Sequence, residues 1–194
     1  YGVLAVGPVF GCMVVVAGLA AALAVIQDAR ALAVIGALGG FATPLLVSTG
    51  GGNHVALFGY YLVLDLGIAA VAWHRSWRLL NLIGFFATFL AATAWGLLSY
   101  RSEHYASAQA FLIAYFVVFA AILLMPARAL LREHAAAEAG SAPAASRSDT
   151  WVNGSLLFGL PTIAFALQHG MVRRFEYGTA ISALVLALFY VGLA

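Results

Sequence analysis

The stretch VALFGYYLVLDLGIAAVAW, residues 55–73, is long and apolar enough to cross a membrane, yet it carries a carboxyl group at its centre. A spanning helix needs roughly 20 apolar residues, and Asp65 is the eleventh of the nineteen residues in this stretch. An acidic side chain at the bilayer midplane costs roughly 2.5–3.5 kcal/mol on insertion scales, so it is expected to face protein or water. The stretch therefore predicts a spanning helix with one buried carboxyl group.

The composition of the whole chain indicates that most of its surface faces lipid. Of its 194 residues, 64% are hydrophobic and 8% are charged, whereas a soluble domain has about 25% charged residues. The nine basic residues are spread over many loops, and nucleic-acid binding needs a concentrated basic face. The predicted partner is therefore the lipid bilayer and not a nucleic acid. The sequence indicates no cofactor, and the pair His134 and Glu138 supplies too few ligands for a metal site.

Seven apolar runs predict an all-α bundle of about seven spanning helices. They cover residues 3–26, 31–47, 55–73, 79–100, 106–125, 151–169 and 177–194. The second run contains Pro44, which predicts a kinked or partly re-entrant helix. Residues 1–125 are expected to form a five-helix segment, 126–150 a cytoplasmic interfacial helix with a flexible linker, and 151–194 two further helices. Because the first residue is tyrosine and the last run reaches the end of the sequence, we expect the chain to be part of a longer protein.

Arginine counts in the loops predict the orientation of the bundle. The loops after the first, third and fifth runs hold six arginines, and those after the second, fourth and sixth hold three. Arginine is enriched in cytoplasmic loops. The loops after the first, third and fifth runs are therefore assigned to the cytoplasm. The N-terminal end of this chain is then predicted to lie on the extracytoplasmic side of the membrane.

A candidate buried polar site surrounds Asp65. Tyr61 lies one helical turn from it and can donate a hydrogen bond, while Thr88 lies at a similar depth in the next, antiparallel run. No arginine lies inside an apolar run, and a desolvated carboxyl group without a cationic partner favours its neutral form. Two interpretations stay open: a proton- or cation-coupled site, or a protonated aspartate that only hydrogen-bonds neighbouring helices together.

The loop STGGGNH, residues 48–54, is a second candidate. Its glycines and the side chains of Ser48, Thr49 and His54 can cradle an anion in a nest of backbone N–H groups. Glycine clusters are also ordinary turns between helices. The loop lacks the lysine of a phosphate-binding loop, so a simple turn is the competing interpretation.

The segment GGFATPLLVSTGGG, residues 39–52, and the helix after it resemble the bacterial polytopic membrane proteins of domain-of-unknown-function family 2339. The matching features are the Gly-Gly pair, the TPLL motif, the Ser-Thr-Gly turn, and a tyrosine- and leucine-rich helix that ends in basic residues and Trp77. The resemblance covers residues 36–95. It implies an inner-membrane location and a longer chain with more spans, and it supplies no activity. Asp65 departs from the family pattern, which has a polar but uncharged residue in the third helix.

Three functions remain open from the sequence. The first is transport or permeation of a small or amphipathic solute along a path lined by Asp65. The second is a non-catalytic envelope scaffold, in which Asp65 bonds helices together and the loops recruit partners. Besides the bilayer, the predicted partners are the remaining helices of the full-length chain, and the sequence identifies no solute or protein partner. The third is an enzyme that acts on lipid-linked substrates at the outer face. Its candidate residues are His54, His104, Arg101 and Arg173.

Overall fold

The computed structural model confirms the predicted all-α fold, because the residues it describes form helices and no strand. It describes residues 11–12, 15–16, 18–20, 23–24, 26–47, 53–74, 77–137 and 147–192. Within these ranges the side chains of 45–47, 125–137 and 147–157 are excluded from the description. The described residues between 11 and 26 are helical, and a turn at residues 27–29 leads from them into the first helix with complete bounds.

Six helices follow in chain order. They are α1 (Arg30–Val47), α2 (His54–His74), α3 (Arg78–Leu98), α4 (Tyr105–Ala137), α5 (Arg147–Val172) and α6 (Gly178–Val191), with a 3-10 turn at Ser102–His104 before α4. The helix α4 continues unbroken through Pro126, so the start of the segment predicted as an interfacial helix is part of α4. The predicted linker lies largely in residues 138–146, which are outside the described residues.

Three of the described helices are long and apolar enough to cross a membrane. They are His54–His74, Arg78–Leu98 and Ser102–Leu124. The helical segments Arg30–Pro44 and Gly178–Val191 are also apolar but shorter. The structure therefore supports a membrane-type bundle, and the count of seven spans stays a prediction.

Helix α2 has three neighbouring helices in the described part of the bundle. It packs against α1, α3 and α4, while α3 also contacts α1 and α5, and α5 contacts α4 and α6. Its inward face carries the buried residues Phe58, Tyr61, Asp65 and Ile68, which recur at helical spacing along one side. The face that carries Asp65 is therefore the one that the rest of the bundle covers.

Helix α1 continues past Pro44, and the Tyr60 side chain of α2 supplies the hydrogen bond that the proline removes. Proline has no backbone N–H, so Pro44 cannot donate to the carbonyl of Gly40 four residues earlier. The Tyr60 hydroxyl donates to that carbonyl at 3.0 Å. The next hydroxyl along α2, Tyr61, donates to the next carbonyl, Phe41, also at 3.0 Å. The two tyrosines thus join α2 to α1 at the position of the proline, where a lipid-exposed carbonyl without a donor would be costly.

The helices α2 and α3 approach closely at Gly84. A methyl group built on Gly84 would lie 2.6 Å from the end of the Ile68 side chain and 3.3 Å from the Asp65 Oδ1 atom. Small residues at helix crossings let membrane helices pack closely. The absence of a side chain at Gly84 therefore makes room for the Asp65 carboxyl group between the two helices.

The link between Pro44 and Tyr60 can be measured by a double-mutant cycle. Because Tyr60→Phe removes the donor to the Gly40 carbonyl, we expect it to destabilise the protein by about 0.6–1.7 kcal/mol, the range for interhelical hydrogen bonds in membranes. Pro44→Ala restores a backbone donor for the same carbonyl, so Tyr60→Phe should cost clearly less in the Pro44→Ala background. Unfolding in detergent measures all four proteins, and an equal cost in both backgrounds would contradict this account.

The close approach at Gly84 predicts that even a methyl group is harmful there. We expect Gly84→Ala to lower the free energy of unfolding by about 1–3 kcal/mol, the usual effect of overpacking a filled core. Gly67 on α2 is the matched control, because nothing lies within 4 Å of a methyl group built there. Thermal melts should show a loss for Gly84→Ala and none for Gly67→Ala, and similar melting temperatures for the two variants would show that the crossing has room to spare.

Candidate functional site

The Asp65 carboxyl group lies between α2 and α3, completely buried. Its side chain is 0% exposed, and its α3 neighbour Thr88 is 1% exposed. The Thr88 hydroxyl donates a 2.8 Å hydrogen bond to Asp65 Oδ2. The structure thus brings together the two residues that the sequence places at one depth in neighbouring antiparallel helices.

The second carboxyl oxygen has no such partner. Asp65 Oδ1 is buried and accepts no hydrogen bond within the described part of the chain. It lies beside Gly84, with the apolar side chains of Ile68 and Phe119 close by. Two ion pairs in the described ranges join Glu103 to Arg101 and to His104, and neither includes Asp65. Since a buried charge without a cation or hydrogen bonds is costly, this environment favours the neutral carboxyl group.

Tyr61 contributes to the site through α1 and not through Asp65. The sequence allows its hydroxyl to donate to the carboxyl group, but the structure directs it to the Phe41 carbonyl. Its ring also stacks on that of Phe41, with centroids 5.5 Å apart. Tyr61 therefore closes the side of the site that faces α1, and Thr88 is the bonded partner of Asp65.

Aromatic side chains of α3 and α4 close the site on the other sides. Phe85 and Phe89 of α3 pack against Phe119 of α4, and Tyr115 contacts Phe89. The Tyr115 hydroxyl donates to the Phe58 carbonyl at 2.8 Å. The hydroxyls of Tyr61 and Tyr115 both lie within electrostatic range of the Asp65 carboxyl group. These contacts make a tightly packed aromatic core around a single acidic group.

A second polar cluster lies at the end of the bundle where α2 and α4 begin. His54 Nε2 is 2.8 Å from the Ser107 hydroxyl, and the rings of His54 and His104 are 4.3 Å apart. The His54 ring stacks on Trp95 at 5.0 Å. We call His54, His104, Ser107 and Trp95 the histidine cluster. It places one of the predicted loop residues, His54, on the first turn of a spanning helix.

The contact between His54 and Ser107 does not by itself make a nucleophilic site. The Ser107 hydroxyl lies 2.8 Å from His54 Nε2 and 3.0 Å from the His104 carbonyl, and its single proton serves one of these two acceptors at a time. Histidine that activates a serine accepts the hydroxyl proton, so the tautomer of His54 decides whether this contact has the required direction. Of the other outer-face candidates, Arg101 lies 3.7 Å from Glu103 with both side chains exposed, and Arg173 is exposed.

The remaining predicted site residues, Ser48 and Thr49, lie outside the described residues, so the anion-cradle interpretation of their loop stays a prediction. The described ranges contain no group of three or more His, Cys, Asp or Glu side chains that could hold a metal ion.

An apolar groove lies on the α1 side of α2, next to the Asp65 site. It has a volume of about 230 Å³. The small side chains of glycine and alanine residues on α1 leave this volume open. Val63, Leu64 and Gly67 form its wall on α2. Phe41 and Ile68 line the groove and also adjoin the Asp65 site, through the Tyr61 hydrogen bond and the Gly84 contact respectively.

Sequence reasoning missed four residues that build these sites: Gly84, Tyr115, Ser107 and Trp95. A glycine one turn before Thr88 was a readable sign of close helix approach. The roles of Tyr115, Ser107 and Trp95 depend on which helix lies beside α2. Loop lengths alone do not reveal that α4 packs on α2 as closely as the sequential neighbour α3 does.

Comparison with known proteins gives one family. The sequence model of the family described as "Predicted membrane protein (DUF2339)" matches residues 1–194, beyond the 36–95 segment whose motifs carry the resemblance. No curated protein and no solved structure matches the chain. The chain belongs to the DUF2339 family of predicted membrane proteins.

Proposed function

We propose that the protein is a transport or permeation component for a small or amphipathic solute, and that Asp65 is the ionisable group of its path. The observation that carries the proposal is the buried carboxyl group itself. It lies in the middle of a spanning helix, with one oxygen bonded to Thr88 and the other without a hydrogen bond from the described residues.

The energetics of this arrangement support a functional carboxyl group. A buried polar group with an unsatisfied oxygen contributes less to packing than an apolar side chain of similar size would. Intramembrane acidic residues that face the bundle interior commonly mark ion or proton pathways. Asp65 has the burial and the incomplete hydrogen bonding expected of a group that binds and releases an ion.

The apolar groove supports a solute that is at least partly apolar. Most of its lining comes from α1 and α2, with Gly18, Ala20 and Leu80 completing it, and two of its residues, Phe41 and Ile68, also adjoin the Asp65 site. A change in the protonation or contacts of Asp65 can therefore reach the groove through a single layer of side chains. The Pro44 position of α1 gives the same region a helix whose backbone hydrogen bonding is already interrupted.

The proposed location is the bacterial inner membrane. With the orientation that the arginine counts favour, the end of the bundle that carries the histidine cluster faces the outside. The opposite end, where α2 finishes and α3 begins, faces the cytoplasm.

The alternative is a scaffold, in which Asp65 serves only to bond helices. The 2.8 Å hydrogen bond from Thr88 favours it, because it joins α2 to α3 across their interface. The two functions differ in what the carboxyl group contributes to stability. A scaffold needs Asp65 to hold the helices together, whereas a transport component needs it for an ion.

Substitutions of Asp65 and Thr88 in the full-length protein distinguish the two. Because the transport proposal makes the carboxyl group unnecessary for packing, we expect Asp65→Asn, which keeps the size of the side chain, to melt at or above the wild-type temperature. Asp65→Leu is bulkier beside Gly84, and we expect it to fold. Thr88→Val leaves a buried carboxyl group without its donor, so we expect it to lose about 1–3 kcal/mol of stability. Thermal melts in detergent measure all three.

Thr93→Val is the matched control, since the Thr93 hydroxyl bonds only within its own helix, to the Phe89 carbonyl, and we expect little change. If both Asp65 variants melt far below wild type or fail to fold, the carboxyl group is structural and the scaffold alternative replaces the transport proposal.

A further inference from the structure

We propose that the ion bound at Asp65 is a proton, and that Asp65 exchanges it with water at the histidine-cluster end of the bundle. This inference rests on the proposed function and names its ion and its side of access. Two observations support it: the atoms that surround the carboxyl group, and the unequal number of polar groups between Asp65 and the two ends of the bundle.

The coordination of the site suits a proton and not a metal cation. Hard cations take about six or more oxygen ligands. Within the described residues, Asp65 has a hydrogen-bonded contact with one hydroxyl, that of Thr88. The two nearest phenols are directed to backbone carbonyls, Tyr61 to Phe41 and Tyr115 to Phe58. A proton needs only the carboxyl group itself, and it removes the charge that burial makes costly.

Close packing adds a steric argument against a larger ion. The free oxygen, Asp65 Oδ1, lies 3.3 Å from the position of a methyl group on Gly84, and the Ile68 side chain is closer still to that position. Phe119 lies on the same side. The space beside the free oxygen is therefore too small for a cation with its own ligand shell.

Whereas the Thr88 hydroxyl lies level with Asp65, the two phenols near the carboxyl group, Tyr61 and Tyr115, lie toward the histidine cluster. On α2 the residues His54, Phe58, Tyr61 and Asp65 follow one face at helical spacing, and His54 is about 16 Å from Asp65 along the axis at helical rise. The Tyr115 hydroxyl, bonded to the Phe58 carbonyl, lies between the two. Helical side chains lean toward the N-terminus, so those of Tyr61 and Tyr115 both lean toward the end where α2 and α4 begin.

The opposite half of the same interface is apolar. The buried α2 residues beyond Asp65 are Ile68 and Val71, and α3 buries Leu80 and Phe85 in the corresponding half of its length. Among the described residues, Asn81 is the buried uncharged polar group in this half, and its Oδ1 atom has no hydrogen-bond partner. A proton moving between Asp65 and this end meets one buried amide before the half-buried Arg78 and the exposed His74 at the helix ends, whereas the other half offers two phenols before its two histidines.

The histidine cluster forms the mouth of this route. His54 is half-buried on the Asp65 face of α2, and the titratable or charged groups nearest to it are His104, on the turn before α4, and Glu103, which lies 3.7 Å from His104. Histidine exchanges protons with water near neutral pH. Around Asp65 itself, the titratable groups from the packed helices are Tyr61 and Tyr115.

Deuterium exchange of the Asp65 carboxyl group tests the route. In the purified full-length protein in detergent, the infrared C=O band of the protonated carboxyl group is assigned by its loss in Asp65→Asn, and its shift is followed after transfer to D2O. Tyr115→Phe keeps the ring and removes the hydroxyl. We expect it to slow exchange by about tenfold, the factor that corresponds to losing one ordinary hydrogen bond from the route.

Asn81→Leu is the matched control on the other side, and we expect wild-type exchange. Slower exchange in Asn81→Leu together with wild-type exchange in Tyr115→Phe would overturn the proposed side of access. If Tyr115→Phe does not fold, the same exchange measurement is made on His54→Gln in the histidine cluster. Slower exchange in that variant supports the route, and an unchanged rate overturns it.

Sodium tests the identity of the ion. Replacing choline chloride by sodium chloride at constant pH should leave the carboxyl band unchanged, and its loss in sodium would show that a metal cation displaces the proton. Those outcomes would overturn the proton or its side of access without touching the proposed transport function, which a different result tests. If the wild-type carboxyl group does not exchange at all in the folded protein, Asp65 is sealed from water and the transport proposal itself falls.

Discussion

The burial of one carboxyl group near the middle of a helix long and apolar enough to cross a membrane is the constraint on which the arrangement of the bundle depends. An acidic side chain there cannot face lipid without a cost of roughly 2.5–3.5 kcal/mol, so Asp65 fixes which face of α2 is turned inward. That face is covered by α1, α3 and α4. Gly84 makes the space for the carboxyl group, and Thr88 supplies its hydrogen bond.

The lipid around the bundle also explains the hydrogen bonds of Tyr60 and Tyr61, the two tyrosines one turn before Asp65 on α2. In lipid no water replaces a lost backbone hydrogen bond, so the proline in α1 requires a donor from elsewhere, and Tyr60 provides it. Tyr61 extends the link to the next carbonyl while its ring closes the Asp65 site. The interrupted helix, the acidic group and the apolar groove are therefore parts of one region, in which a change at the carboxyl group can alter how α1 packs on α2.

The fold class and the proximity of Asp65 and Thr88 are predictable from the sequence. Hydropathy predicts the position of each residue along its apolar helix, and a short loop makes neighbouring helices antiparallel. The partner of Tyr61 is not predictable in this way, since it depends on the rotation of α1 about its axis. The contact between His54 and Ser107 depends on the packing of α4 against α2, which no local pattern encodes. The close approach at Gly84 is partly predictable. A glycine near a polar residue indicates that two helices cross there, but it does not identify the opposing helix.

The protonation state of Asp65 in lipid at neutral pH tests the central claim most directly. The infrared spectrum of the wild-type protein in bilayers, compared with that of Asp65→Asn, isolates the signal of this one carboxyl group. The structure predicts a C=O band of a protonated, hydrogen-bonded carboxylic acid that is present in the wild type and absent in the variant. A carboxylate signal in its place would mean that Asp65 carries a stable charge inside the bundle, which would contradict a site built to hold a proton.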